Sequence, residues 1–142
     1  MKKIMLMLVA GLMASLTYAQ KIQDKNVPAV VKAAFQKQYP TAKEVKWEKE
    51  NGNYEVSFDL NEADNSVLID ANGNILETEI EIETSQLPAG VLDYVKTNYG
   101  GEKVTEIAKI TDAKGTVTYE VEIKGKDLIF DNNGKFIKAS QD

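Results

Sequence analysis

Cysteine, histidine and arginine are all missing from this chain. Without Cys there can be no disulfide, no thiol nucleophile and no lipid attached through a cysteine thiol. Without His the usual general base near neutral pH is gone, and with it Ser-His relays and imidazole-held zinc or iron. Without Arg no guanidinium fork is available for bidentate recognition of phosphate or carboxylate. Most familiar hydrolase and redox chemistries are thereby removed, and no catalytic, cofactor-binding or metal-binding residue is expected. Long apolar runs are scarce too. The one near the start, Ile4 to Leu16, is shorter than the roughly 20 residues of a spanning helix.

That run has a basic start at Lys2-Lys3 and a small-residue exit at Thr17-Tyr18-Ala19. The pattern predicts a secretory signal peptide over residues 1–19, cleaved after Ala19 and leaving no membrane anchor. Both compartments reached by such a signal, the periplasm and the exterior, remain open. The mature chain keeps 15 Lys against 22 acidic residues, a net charge of −7. Nucleic-acid binders carry basic patches, so nucleic acid is not an expected partner.

What is present repeats. Val27-Pro28-Ala29-Val30-Val31 with Phe35 and Tyr39 returns as Leu87-Pro88-Ala89-Gly90-Val91 with Val95 and Tyr99. Tyr54-Glu55-Val56 returns as Tyr119-Glu120-Val121, and Asp70-Ala71-Asn72-Gly73 as Asp131-Asn132-Asn133-Gly134. Each copy opens with an apolar stripe at helical spacing, with Asn26 or Asp24 expected to cap the first helix at Val27-Pro28. The period then falls to two, as in Tyr54-Glu55-Val56-Ser57-Phe58, the mark of a strand wet on one face. Residues Gln20 to Asn26 read as a loose polar leader. The expected fold is α+β: one domain over 20–142, made of two tandem helix-plus-antiparallel-strand repeats (about 27–83 and 87–139). Their helices would pack on one face of a meandering sheet and leave the other face open.

The apolar-Pro helix start, the helix end at Tyr39, Trp47 followed by Tyr54-Glu55-Val56, and Asp70-x-Asn72-Gly73 together resemble the secreted PepSY-like family, which is also described as similar to beta-lactamase inhibitory protein. The likeness runs from Val27 to about Lys138. It implies an exported, non-enzymatic protein that binds another protein. No binding residue is carried over from the inhibitory protein, which is disulfide-bonded where this chain has no Cys.

Three features invite a site. Asp70-Ala71-Asn72-Gly73-Asn74 has the spacing of the first part of a calcium loop, but Ile75-Leu76 follows where further oxygen ligands belong. An Asx-Gly turn accounts for the same letters. Glu77, Glu79, Glu81 and Glu83 alternate along one expected strand; the plain account is charge that deters edge pairing. Tyr54 and Tyr119 are expected in the core, whereas the orientation of Trp47 stays open. The polar residues that alternate with them, Lys46, Glu48, Glu55, Ser57, Glu120 and Glu122, are expected on the uncovered sheet face. That face is the candidate binding surface of an exported, non-catalytic module for a protein or peptide, binding or inhibitory in action. The alternative is a small periplasmic ligand or cation carrier using Glu77 to Glu83. A carboxylate hydrolase ranks behind both, because none of the 22 acidic residues is singled out.

Overall fold

The structure is a computed structural model, and it describes residues 19–141. The expected signal peptide thus lies outside the described residues, apart from Ala19. The elements in chain order are β1 (Gln20–Ile22), α1 (Ala29–Gln38), β2 (Lys43–Glu50), β3 (Asn53–Leu60), β4 (Ala63–Ile69), β5 (Ile75–Glu81), α2 (Val91–Asn98), β6 (Val104–Asp112), β7 (Val117–Ile123), β8 (Lys126–Asp131) and β9 (Phe136–Gln141). Short 3-10 turns lie at Asp24–Asn26 and Thr84–Gln86.

The nine strands follow one another in sequence order in one sheet. This corrects the expected fold class. The molecule is mostly a nine-stranded antiparallel sheet with two helices of only ten and eight residues, not two tandem helix-plus-strand repeats. Successive strands pair in chain order, as short connections favour. Each helix adds buried residues to the core of its own unit, Val31 and Phe35 from α1 and Val91 and Val95 from α2.

By compactness the chain divides into two units, one ending at Thr78 and the other starting at Glu79. In the first, Val27, Val31 and Phe35 pack on Trp47, Tyr54, Val56, Phe58, Val67 and Ile69. Alternation explains the set. Tyr54, Val56 and Phe58 point to α1, and across the ladder Ile69 stands opposite Tyr54 and Val67 opposite Val56. Phe35 is the hub, with ring centroids 5.0 Å from Phe58, 5.5 Å from Trp47 and 5.7 Å from Tyr39. Edge-on and tilted contacts of this kind add to what area burial alone supplies.

Two local expectations fail here. Neither Asn26 nor Asp24 caps α1: Pro28 holds the capping position without a side-chain bond, and the Asp24 carboxylate pairs with Lys32 Nζ instead. Proline fixes the turn into the helix by its own ring, so no side-chain acceptor is needed to set the boundary. Nor are Gln20 to Ile22 a loose leader, for they pair with β2 and set Ile22 opposite Trp47. The ladder with β2 and the packing of the half-buried Ile22 against the core act together on this segment.

In the second unit Val91 and Val95 of α2 pack on Val121, Ile123, Leu128 and Phe130. Tyr94 stacks on Phe136 at 4.8 Å and meets Phe130 edge-on at 5.5 Å. Tyr119 is half-buried beside this core. The last strand breaks register: Ile129 faces Lys138 and Phe130 faces Phe136, which leaves Ile137 bulged out and half-exposed.

Candidate functional site

In the first unit the strand residues that alternate with the α1-facing core form a polar patch on the other side of the sheet. Lys46 of β2 stands opposite Ser57 of β3, and Glu48 opposite Glu55. The next strand continues both rows, with Ser66 opposite Ser57 and Leu68 opposite Glu55. Lys46 is exposed, and Glu48 and Ser57 are half-buried. Glu55 is only 5% exposed, and Ser66 and Leu68 are buried beside it.

Burial has an electrostatic consequence for Glu55. Desolvation first, then the carboxylates of Glu48, Glu50 and Glu77, push its pKa from an ordinary 4.5 up to about 8. A carboxyl group held this way is largely neutral at pH 7 and can donate a hydrogen bond as well as accept one. A second acidic pair lies farther along the same face. Asp59 and Asp64 stand directly opposite each other, and burial together with the Asp59 carboxylate raises the Asp64 pKa, with Lys46 offsetting part of the rise. The sequence reading missed this pair. Its signal was the equal distance of both residues from the two-residue turn Asn61-Glu62, where both backbones take positive φ.

In the second unit Glu120 is buried, facing Ala108 on one side and Ile129 on the other. Glu122 is half-buried and faces two acids across its strand pairs, Glu106 and Asp127. Its Oε1 accepts a hydrogen bond from Thr105 Oγ1 at 2.7 Å. The expected open, hydrated face is not what these rows show: Glu55, Ser66 and Leu68 of the first unit and Ala108, Glu120, Asp127 and Ile129 of the second are all buried, whereas Lys46 is exposed. Alternation tells which side of a strand a residue lies on, not what depth it reaches.

The remaining candidates separate. Glu77, Glu79 and Glu81 lie on β5, but Glu83 leaves the strand and caps the 3-10 turn that follows, where its own N–H donates to Gln86 Oε1 at 2.9 Å. Glu79 is buried, whereas Glu77 and Glu81 are half-buried. Trp47 is buried against Phe35, and its indole N–H finds no hydrogen-bond partner among the described residues. Its orientation, open in the sequence, is thus toward the core.

The Asp70 carboxylate is engaged by its own loop, accepting from the N–H groups of Asn72 at 2.8 Å and Asn74 at 2.9 Å and from Asn74 Nδ2 at 2.9 Å. Those bonds hold its pKa below the ordinary value. Asp112 and Asp131 make the same turn, each accepting from the N–H groups two and four residues on. A geometry shared with Asp112-Ala113-Lys114-Gly115, which lacks further oxygen side chains, is the geometry of a turn. Among the described residues no group of three acidic side chains converges closely enough to hold a metal ion, and no helix is long and apolar enough to cross a membrane.

Several solved structures share this fold. One, described as "putative periplasmic proteins" from Bacteroides eggerthii, is 16% identical, with a TM-score of 0.73 over 81% of this chain and 88% of that one. A DUF2874 family protein from Bacteroides uniformis is 24% identical, with a TM-score of 0.71 over 80% and 88%. A BLIP-like protein from Bacteroides fragilis is 24% identical, with a TM-score of 0.64 over 80% and 85%. No curated protein matches the chain. The family described as "Putative beta-lactamase-inhibitor-like, PepSY-like" matches residues 16–77 and again 60–138. With nearly the whole of the described chain matched in those two overlapping stretches, the chain belongs to that PepSY-like family.

Proposed function

We propose that this chain is an exported, non-catalytic binding module of the cell envelope that holds a protein or peptide against strand residues facing away from the helix of their own unit. The observation that carries the reading is the register of the first unit, which sets Lys46, Glu48 and Ser57 around the buried Glu55 on the side facing away from α1. Glu120 and Glu122 are the corresponding side chains of the second unit, with the same direction relative to α2. Neither group of side chains includes an imidazole base or a thiol to activate or supply a nucleophile, which suits recognition by surface complementarity better than a chemical step. Support for the class comes from the family and from the shared fold of a protein described as BLIP-like. Support for a periplasmic setting comes from the leader pattern of residues 1–19 and from fold relatives described as periplasmic. The carrier reading is weaker, since Glu83 is drawn off the β5 row into a cap.

The test is site-specific photo-crosslinking in the source cell. A crosslinker at Lys46 should capture a reproducible partner, and Glu48→Lys should diminish the capture; a crosslinker at the exposed Lys37 of α1 should capture none. Equal capture from both positions, or none from Lys46, refutes the assignment of the face.

A further inference from the structure

Asn-Gly occurs three times, at Asn51-Gly52, Asn72-Gly73 and Asn133-Gly134, and the structure treats the three pairs differently. We propose that Asn51 is the spontaneous deamidation site of this protein, and that its conversion acts on the β2–β3 hairpin that aligns Glu48 with Glu55. In this reaction the backbone nitrogen of the following residue attacks Cγ of the Asn side chain. The bond from Cγ to the side-chain nitrogen breaks, ammonia leaves and a five-membered succinimide forms. Water then opens the ring at one of its two carbonyls to give aspartate or isoaspartate, so the net change is Asn plus water to Asp plus ammonia. No other reactant is needed. Glycine in the following position helps, because it lacks a Cβ to obstruct the approach and its backbone moves freely.

The attacking nitrogen must be free of its own hydrogen bond and able to move. Gly73 N–H donates to Asp70 O at 3.0 Å, and Gly134 N–H donates to Asp131 O at 2.9 Å. The flanking residues of both are held as well, Asn72 and Asn74 by the Asp70 carboxylate and Asn133 and Lys135 by that of Asp131. Both glycines are also closed in by neighbouring backbone: a Cβ on Gly73 would lie 3.1 Å from Val30 O, and one on Gly134 would lie 2.7 Å from Ala89 O. At the hairpin the restraints are missing. Gly52 N–H makes no such turn bond among the described residues, Asn51 and Gly52 are both exposed, and a Cβ on Gly52 would meet nothing within 4 Å.

Asn51 and Gly52, at φ +50 and +81, form the two-residue turn between Glu50 and Asn53. Such turns match the twist of the strands only in the positive-φ conformation. Isoaspartate would lengthen the backbone in a turn that admits two residues, and either product adds a carboxylate next to Glu50.

The full-length mature protein is incubated in mildly alkaline buffer, natively and in concentrated urea. Conversion at each Asn is then followed by digestion with a glutamyl endopeptidase and fragmentation mass spectrometry. In urea the three pairs should convert at similar rates. In the native protein Asn51 should outpace Asn72 and Asn133 by about tenfold or more, since their turns must open first. Asp70→Ala should speed Asn72 alone, and Gly52→Ala should slow Asn51 alone. Asn72 or Asn133 keeping pace with Asn51 in the native protein overturns the proposal, as does an Asn51 that is protected in the native state relative to urea as strongly as they are.

Discussion

A Cβ placed on Gly134 would stand 2.7 Å from the carbonyl oxygen of Ala89, so the turn after β8 and the approach to α2 meet backbone to backbone. The equivalent contact of Gly73 with Val30 O is 3.1 Å, whereas Gly115, in the same kind of turn, has open space around it. All three have positive φ. Alanine at Gly115 therefore meets only the left-handed penalty, about 1 kcal/mol. Gly134→Ala adds overpacking against backbone that cannot rotate away, for about 2–4 kcal/mol in all, and Gly73→Ala falls between. Urea unfolding of the three variants should rank them in that order; a Gly115 variant as damaged as the Gly134 one would show that the close approach is not what matters.

Glu55 makes stability depend on pH with a definite sign. Its folded pKa of about 8 exceeds the ordinary 4.5, so between those values the folded chain binds more protons than the unfolded one. Stability is thus greatest below the lower value and declines as pH rises toward the upper, by up to about 1.4 kcal/mol per pH unit from this group. Glu55→Gln should remove that slope. The stability gap between variant and wild type, measured by denaturant titration at several pH values, should widen in the variant's favour from pH 4.5 to 8 and then level off.

Phe35 touches three aromatic rings from inside a buried stripe, and Phe35→Ala should cost about 3–5 kcal/mol. Trp47→Phe should cost less than half as much, because it deletes an indole N–H that has no partner among the described residues and so recovers part of its desolvation penalty. As the one tryptophan of the chain, Trp47 should emit at short wavelength and resist iodide quenching in the folded state. Emission typical of exposed indole would contradict the burial.

Calcium should leave the melting temperature unchanged, since the Asp70 carboxylate already accepts three bonds from Asn72 and Asn74. A stabilising shift with calcium that disappears in Asp70→Ala would identify a ligand loop instead.

Periodicity made much of the local structure readable. The stripe Val31-Phe35 and its counterpart Val91-Val95 are buried, and Tyr54, Val56 and Phe58 face α1 as alternation requires. The Asx turns were equally legible, because Asp followed by Gly at this spacing has a local hydrogen-bonding reason. What escaped depended on distant chain. Three residues at β1 carry no period of their own, so only the waiting edge of β2 defines them. Glu55 and Glu120 differ from Glu48 and Glu122 in depth, which no alternation encodes. The Asp59–Asp64 pair becomes visible only once the turn at Asn61-Glu62 fixes the register. Letter repeats suggested an architecture of two repeats, yet in-order strand pairing organises the molecule as one meander.

β1 has only three residues, and β9 is kinked by the bulge at Ile137 and carries Lys138. These are devices by which natural sheets refuse a further strand. A chain with so much extended structure could otherwise stack copy upon copy when crowded. Among the described residues one margin is curtailed and the other is bent and carries a lysine, so a crowding neighbour meets no long flat border to copy, and concentration alone should yield dispersed molecules in place of fibres.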